Sequence, residues 1–197
     1  MTQAELNRVI EQHKVWLDSK GEEGKRADLR DTVLRGADLS YVDLRGADLT
    51  NADLEGANLK GVDLSGVDLR YAYLKGVDLS YAFLKGVDLR DANLTCANLE
   101  GTDLEDADLE GADLEGANLK YANLTNVNLT GTGVCFFRGP KHYGTYNSKD
   151  DKLIIGCQVH SLEYWLKNYV AIGKEYKYID KEIEVCGAWI KSLKEIS

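Results

Sequence analysis

The chain has 197 residues, with 24 lysines and arginines against 33 aspartates and glutamates, for a net charge of −9. At 44% hydrophobic and 29% charged residues it reads as a folded, soluble chain, and no apolar run approaches the roughly 20 residues of a membrane helix. The acidic balance excludes generic nucleic-acid binding, which needs a basic surface to neutralise phosphates, and leaves open a surface that imitates an acid.

The first predicted element is a helix. Residues 3–18 place Leu6, Ile10, Val15 and Leu17 with Trp16 in a short amphipathic pattern, and GEEGKR at 21–26 supplies a turn after it. The opening residues scatter their charges and lack the apolar core of a secretion signal, so a cytoplasmic location is expected. The cysteines Cys96, Cys135, Cys157 and Cys186 are widely spaced and form no C-x-x-C pair, which fits reduced thiols in a reducing compartment.

From Ala27 to Cys135 the chain repeats every five residues. Leucine recurs at every fifth position from Leu29 to Leu129, twenty-one in all, and Val134 continues the series. Two residues earlier stands Ala thirteen times, Val six times and Thr twice, as Thr32 and Thr102. One residue earlier stands Asp twelve times and Asn six times, with Val33, Tyr73 and Phe83 as the exceptions. Two residues after the leucine comes Gly eleven times, Asp or Asn five times, Tyr four times and Cys96 once.

A period of five fits neither a helix nor a long strand. In a short extended piece the small residue and the leucine, two apart, point to one side and the Asp or Asn between them points to the other. The last two residues must then turn the chain. Gly, Asn and Asp tolerate the positive φ of a type II turn, whereas Tyr41, Tyr71, Tyr81 and Tyr121 do not, so another turn is expected at those four corners. On this reading Leu79 faces inward and Ser80, next to it, outward.

A chain turning one way every five residues coils on itself, with backbones of successive coils pairing ~4.8 Å apart. The sequence resembles the pentapeptide-repeat family, and the resemblance implies a right-handed quadrilateral β-helix, a β-solenoid in which four units make one square coil. Leu29, Leu49, Leu69, Leu89, Leu109 and Leu129 then form one interior column, with no room for a ligand inside. The stretch HKVWLDSKGEEGKRADL from His13 to Leu29 resembles a leader that precedes the repeats in bacterial and phage members. The expected organisation is mainly β: a capping helix and turn over 1–25, the solenoid over 26–135, and a small mixed α/β unit over 136–197 that caps the far end.

That last unit holds ten of the seventeen aromatic residues. Strands are expected at 134–138, 142–147 and 152–157. Helices are expected from Ser161 to about Ile172 and from Asp180 to about Ile196, with Ser161 and Asp180 as N-caps. The buried faces would be Leu162, Trp165, Leu166 and Tyr169 on the first helix and Ile183, Cys186, Ile190 and Leu193 on the second.

No motif for catalysis emerges. The aspartates before leucine interchange with asparagine, which suits turn-stabilising hydrogen bonds and not an acid catalyst. His142, Cys157 and His160 with Cys135 or Cys186 contain ligand-type residues but no complete metal motif, and Gly-Pro-Lys-His-Tyr-Gly at 139–144 lacks the Lys-Ser/Thr ending of a phosphate loop. No enzyme activity, cofactor or metal is expected.

The charges are more informative. Arg26 to Arg90 contains eleven acids and nine bases, whereas Asp91 to Leu119 contains nine acids and no base. With four units per coil, Glu100, Glu105, Glu110 and Glu115 fall on four successive faces and, with Asp106, form an acidic girdle. Tyr41, Tyr81 and Tyr121 share one face, interrupted by Gly61 and Gly101. These eight residues are the candidate interaction surface of a non-enzymatic module whose partner is a protein, with no direct contact to nucleic acid or membrane. The family resemblance implies an alternative, an acidic duplex mimic that binds DNA gyrase or topoisomerase IV and protects it from quinolones. Against that alternative, the repeats carry no loop insertion, the acids form a girdle in only one third of the rod, and the chain ends in a mixed unit instead of a simple dimerising helix.

Overall fold

The computed structural model describes residues 1–138, 143–148, 151–155, 158–175 and 178–193. They form two compact units, Met1–Thr132 and Gly133–Ser197.

In the first unit, parallel bridges join residues twenty apart, from Asp28 with Asp48 to Asp108 with Asn128. A twenty-residue offset over a five-residue repeat means four units per coil. The backbone bonds of the repeat are systematic. Leu29 N–H donates to Asp48 O at 2.8 Å, Asp31 N–H to Thr50 O at 3.1 Å, and Asp48 N–H back to Ala27 O at 3.1 Å. The same three bonds recur up the coil, so the walls consist of saturated backbone. Leu29 through Leu114 are no more than 2% exposed, and the small residues beside them line the same interior. Thr102, an exception at a small position, is also buried and is satisfied by donating its hydroxyl to Leu99 O at 2.8 Å.

Each leucine carbonyl accepts the N–H three residues on, and the residue between them, at the fifth position, has positive φ. The residue before it does not, and this combination belongs to type II turns. The expectation of a different turn at the tyrosines is wrong. Tyr41, Tyr71, Tyr81 and Tyr121 have φ of 59–61°, in the range of the asparagines and close to the glycines of the other corners. Coil-to-coil bonds fix that conformation whatever the side chain: Tyr41 N–H donates to Lys60 O at 2.9 Å, as Gly61 N–H does to Ser80 O. Tertiary bonding overrides a cost of ~1–2 kcal/mol per non-glycine residue. Ser80 is also a correction, because it is only 5% exposed although it is an outward residue. It is a short side chain in a column whose members one coil away are Lys60 and Glu100.

Helix α1, Gln3–Asp18, starts with a capping box between Thr2 and Glu5. It completes the open edge of the first coil, where no preceding coil exists to pair with it. The Gln3 amide accepts Asp38 N–H and donates to Asp38 O, both at 3.1 Å, while His13 Nδ1 accepts Ala27 N–H at 3.1 Å. Leu6 and His13 are buried, whereas Val15, expected on the apolar face, is 40% exposed. Trp16 stacks on His13 at 5.4 Å and packs beside Gly21 and Gly46. Gly24 has no room for a side chain, since a Cβ would lie 2.5 Å from Gln12 O. The residues of the leader thus meet one another where the helix joins the coil.

The second unit begins earlier than the sequence pattern implies, because Val134 and Cys135 belong to strand β1 and not to a sixth coil. Strands β1 (Val134–Arg138), β2 (Tyr143–Asn147), β3 (Lys152–Ile155) and β4 (Gln158–His160) form an antiparallel sheet in that order. The expected strand over 152–157 ends at Ile155, and β4 was not anticipated. Helices α2 (Leu162–Glu175) and α3 (Asp180–Leu193) follow. Ser161 caps α2, its hydroxyl accepting Tyr164 N–H at 3.2 Å. Asp180 is not a cap: it lies inside α3, and Ile179 precedes it with its N–H held by Glu182 Oε2 at 2.9 Å. Tyr146, Leu153, Leu162, Trp165, Ile190 and Leu193 form the core. Gly187 faces the Tyr169 ring, where a Cβ would lie 2.3 Å away, so this glycine lets α2 and α3 approach.

Candidate interaction surface

Every Asp or Asn before a leucine accepts the backbone N–H two residues on, as Asp38 Oδ1 does from Ser40 at 3.1 Å and Asn118 Oδ1 from Lys120 at 3.1 Å. This local bond works equally for carboxylate and amide, which is why the two interchange. Between coils the amide has a further role. Asn58 Nδ2 donates to Asp38, Asn98 to Asp78 and Asn123 to Asp103, at 2.8–3.2 Å. Asparagine thus separates carboxylates that would otherwise stack.

One wall lacks that alternation over most of its height. Asp28, Asp48, Asp68, Asp88 and Asp108 stand in a single column. Arginines balance it: Arg30, Arg70 and Arg90 each bind the Asp two residues before at 2.6–2.7 Å and reach the Asp of the following coil at 3.5–3.6 Å. The Arg30 hydrogen bonds hold Asp28 at about 2, and the guanidiniums of Arg70 and Arg90 hold Asp68 and Asp88 below the usual carboxylate range.

Glu100, Glu105, Glu110 and Glu115 lie on four successive walls of one coil, and their surroundings differ. Glu105 is paired with Lys85 at 3.0 Å. Glu100 accepts from Asn118 Nδ2 at 3.3 Å, with Lys120 in its own column, and Glu110 shares a shallow groove of about 310 Å³ with Arg90. Glu115 is exposed, and Asp106 is an exposed corner residue accepting from Asn126 Nδ2 at 3.0 Å. Of the four, Glu105 is ion-paired and Glu100 and Glu110 have a base in the same column one coil away, so the girdle is not a uniform anionic band.

Tyr41, Tyr81 and Tyr121 occupy one corner column and are 71%, 58% and 63% exposed. The rings of Tyr41 and Tyr81 lean over Gly61 and Gly101 of the next coils. Lys60 Nζ lies 6.0 Å from the Tyr81 ring centre, and Lys120 Nζ lies 4.8 Å from that of Tyr121. Tyr73 and Phe83, 57% and 55% exposed, are further outward aromatics. In the sequence they stand only as exceptions to the Asp/Asn rule and are not among the eight candidate surface residues. The signal was there, an aromatic in a position whose neighbours all point to water.

Among the described residues no His, Cys, Asp and Glu cluster is arranged to hold a metal, and no helix is long and apolar enough to cross a membrane. His142 and Cys157 lie outside the described residues, as do residues 139–141. His160 stacks on Tyr164 at 3.9 Å, and burial pushes the Cys186 thiol up, away from reactivity.

No curated protein sequence matches the chain. Solved structures that resemble it include the pentapeptide repeat protein Rfr23 from the cyanobacterium Cyanothece, at 44% identity over 44% of this chain and 59% of that one, with a TM-score of 0.44. A trypsin-treated form of QnrB1, a plasmid-mediated fluoroquinolone resistance protein, is 27% identical over 54% of this chain and 59% of its own, with a TM-score of 0.45. HetL from Nostoc, a pentapeptide repeat protein involved in heterocyst differentiation regulation, is 31% identical over 54% and 70%, with a TM-score of 0.30. The chain spans about three fifths of the length of the first two. The pentapeptide-repeat family model matches in eight copies over residues 27–66, 57–95, 68–106 and 92–131, the region of the twenty-residue coils. The chain belongs to the pentapeptide-repeat family.

Proposed function

We propose that this chain is a non-enzymatic interaction module of the cytoplasm, a right-handed four-sided solenoid that holds side chains on its walls for a protein partner. The observation that carries this reading is the contrast between inside and outside. The interior is closed by leucines from Leu29 to Leu114, leaving no internal site for a substrate, while large aromatic side chains stand in water on the walls. Exposed tyrosines that neither fill the core nor cap the coil are best accounted for by a partner.

The duplex-mimic alternative requires a continuous anionic face. The pairing of Arg30, Arg45, Arg70 and Arg90 with wall aspartates, and of Lys85 with Glu105, favours the general module instead. A photoreactive phenylalanine analogue placed at Tyr81 or Phe83 should give a discrete protein adduct in the host cell, and one placed at Asn51 should not. Absence of adducts from both aromatic sites would remove the support for a module. Salt-sensitive inhibition of gyrase supercoiling by the wild-type protein, lost on changing Glu100, Glu105, Glu110 and Glu115 together to Gln, would transfer the assignment to the mimic.

A further inference from the structure

We propose that the Tyr41, Tyr81 and Tyr121 corner docks a proline-rich segment in the polyproline II conformation, an inference that rests on reading the solenoid as an interaction module. The three rings recur at every second coil, so their spacing along the axis is ~9.6 Å, twice the ~4.8 Å between paired backbones. A polyproline II helix rises ~3.1 Å per residue with three residues per turn, so it presents the same side every ~9.3 Å. Prolines three apart would therefore meet successive tyrosines with a mismatch of only a few tenths of an ångström per turn.

The backbone of this corner selects the same class of ligand. Tyr41 and Tyr81 spend their N–H groups on Lys60 O and Glu100 O, both at 2.9 Å, and Gly61 and Gly101 do likewise toward the next coil. From Tyr41 to Gly101 an added β-strand would find no free backbone donors, which disfavours strand addition over that stretch of the corner. Polyproline II has no internal hydrogen bonds and needs none from a partner backbone; its free carbonyls can accept from tyrosine hydroxyls. The outward Phe83, two residues after Tyr81, widens the aromatic surface at the middle rung.

Charge gives the ligand its complement. In the column beside the ladder, Lys60 lies midway between the levels of Tyr41 and Tyr81, Glu100 midway between those of Tyr81 and Tyr121, and Lys120 at the level of Tyr121, 4.8 Å from its ring centre. The fitting segment carries an acid between its first pair of anchoring prolines and a base between the second pair. A single-stranded nucleic acid, which also stacks on aromatic rungs, would need a continuous basic track, and Glu100 interrupts the one between Lys60 and Lys120.

The test is fluorescence anisotropy of the full chain with the labelled peptide Pro-Glu-Pro-Pro-Lys-Pro-Pro-Pro-Pro. The variant Tyr41→Asn, Tyr81→Asn, Tyr121→Asn keeps the corner conformation, because Asn51 and Asn126 already hold φ of 57° at equivalent positions. Binding by the wild type, weakened at least tenfold in the triple variant and unchanged in Tyr71→Asn on another corner, is the expected result. Lys60→Glu should weaken this peptide several-fold and leave nonaproline unaffected. The proposal is overturned by equal affinity in wild type and triple variant, by no wild-type binding at millimolar peptide, or by tyrosine-dependent self-association without peptide binding. Photo-adducts at Tyr81 would survive that failure, so the loss of this ligand class and the loss of the module reading are separable.

Discussion

The ring of Tyr41 fills the space that a side chain at Gly61 would occupy: a Cβ there would lie 2.7 Å from both Cδ1 and Cε1. Tyr81 stands in the same relation to Gly101 at 2.9 Å. At Gly56, by contrast, nothing lies within 4 Å of such a Cβ. Gly56→Ala should therefore cost only the left-handed backbone penalty of about 1–2 kcal/mol. Gly61→Ala should cost about 1 kcal/mol more, through crowding of the ring. That excess should vanish in a Tyr41→Asn background, and a double-mutant cycle by urea denaturation measures it.

Leu79 is fully buried in mid-column, and a carboxylate there has no partner. Leu79→Asp should cost at least about 4 kcal/mol. Lys75→Asp, at an exposed fourth position, should stay within about 0.5 kcal/mol. Thermal melts of the two variants check the inward and outward assignments, and similar losses would contradict them.

His13 couples the N-terminal helix to pH. Its Nδ1 accepts Ala27 N–H, and its buried Nε2 lies by the Leu44 and Arg45 backbone without a well-formed hydrogen bond. Burial lowers its pKa, with Asp43 opposing and Arg26 assisting. A histidine kept neutral on folding contributes stability that is complete above its unfolded value of about 6.5 and is lost as pH falls through the lower folded value. The protection factor of the Ala27 amide, its exchange measured against the intrinsic rate at each pH, should therefore fall between pH 7 and pH 5, while amides of the central coils stay protected. Uniform protection across that range would show that the cap does not respond to His13.

The paired wall aspartates act in a more acidic window. Asp28 is lowered from 3.8 to about 2 by the Arg30 hydrogen bonds, and Asp68 and Asp88 are lowered by Arg70 and Arg90. Their contribution is present above about pH 4 and is lost as pH falls toward 2. Replacing Arg70 and Arg90 together by Gln should move the acid-unfolding midpoint to higher pH in a circular dichroism titration. An unmoved midpoint would mean that these exposed pairs contribute nothing measurable.

The solenoid was legible because one five-residue rule governs both the interior and the corners: the inward leucines, the turn-forming fifth residues and the Asx bonds all follow from it. Helix α1 was equally legible in its span but not in its chemistry. That Gln3 would replace a missing coil at Asp38, and that His13 would serve Ala27, depends on the exit geometry of the chain and leaves no local periodicity. The tyrosine corners were misjudged because propensity is a local preference of about 1–2 kcal/mol, and bonds to residues nineteen positions away outweigh it. For the surface, the sequence located the girdle glutamates but not Lys85 beneath Glu105 or Arg90 beneath Glu110. Such pairings become visible only once residues twenty apart are known to be neighbours.

Two different step lengths govern how such a chain can change. The leucine interior looks the same from every unit, so loss or gain of five residues would leave it intact. The outside has no such tolerance. A five-residue deletion after Tyr41 would advance everything beyond it by one wall, bringing Ser65 and Gly66 to where Lys60 and Gly61 had stood and moving Tyr81 off the ladder. Only a deletion of twenty returns each column to itself. A lineage of such chains can drift in length by fives without unfolding, while any message written along a wall survives only in multiples of four units.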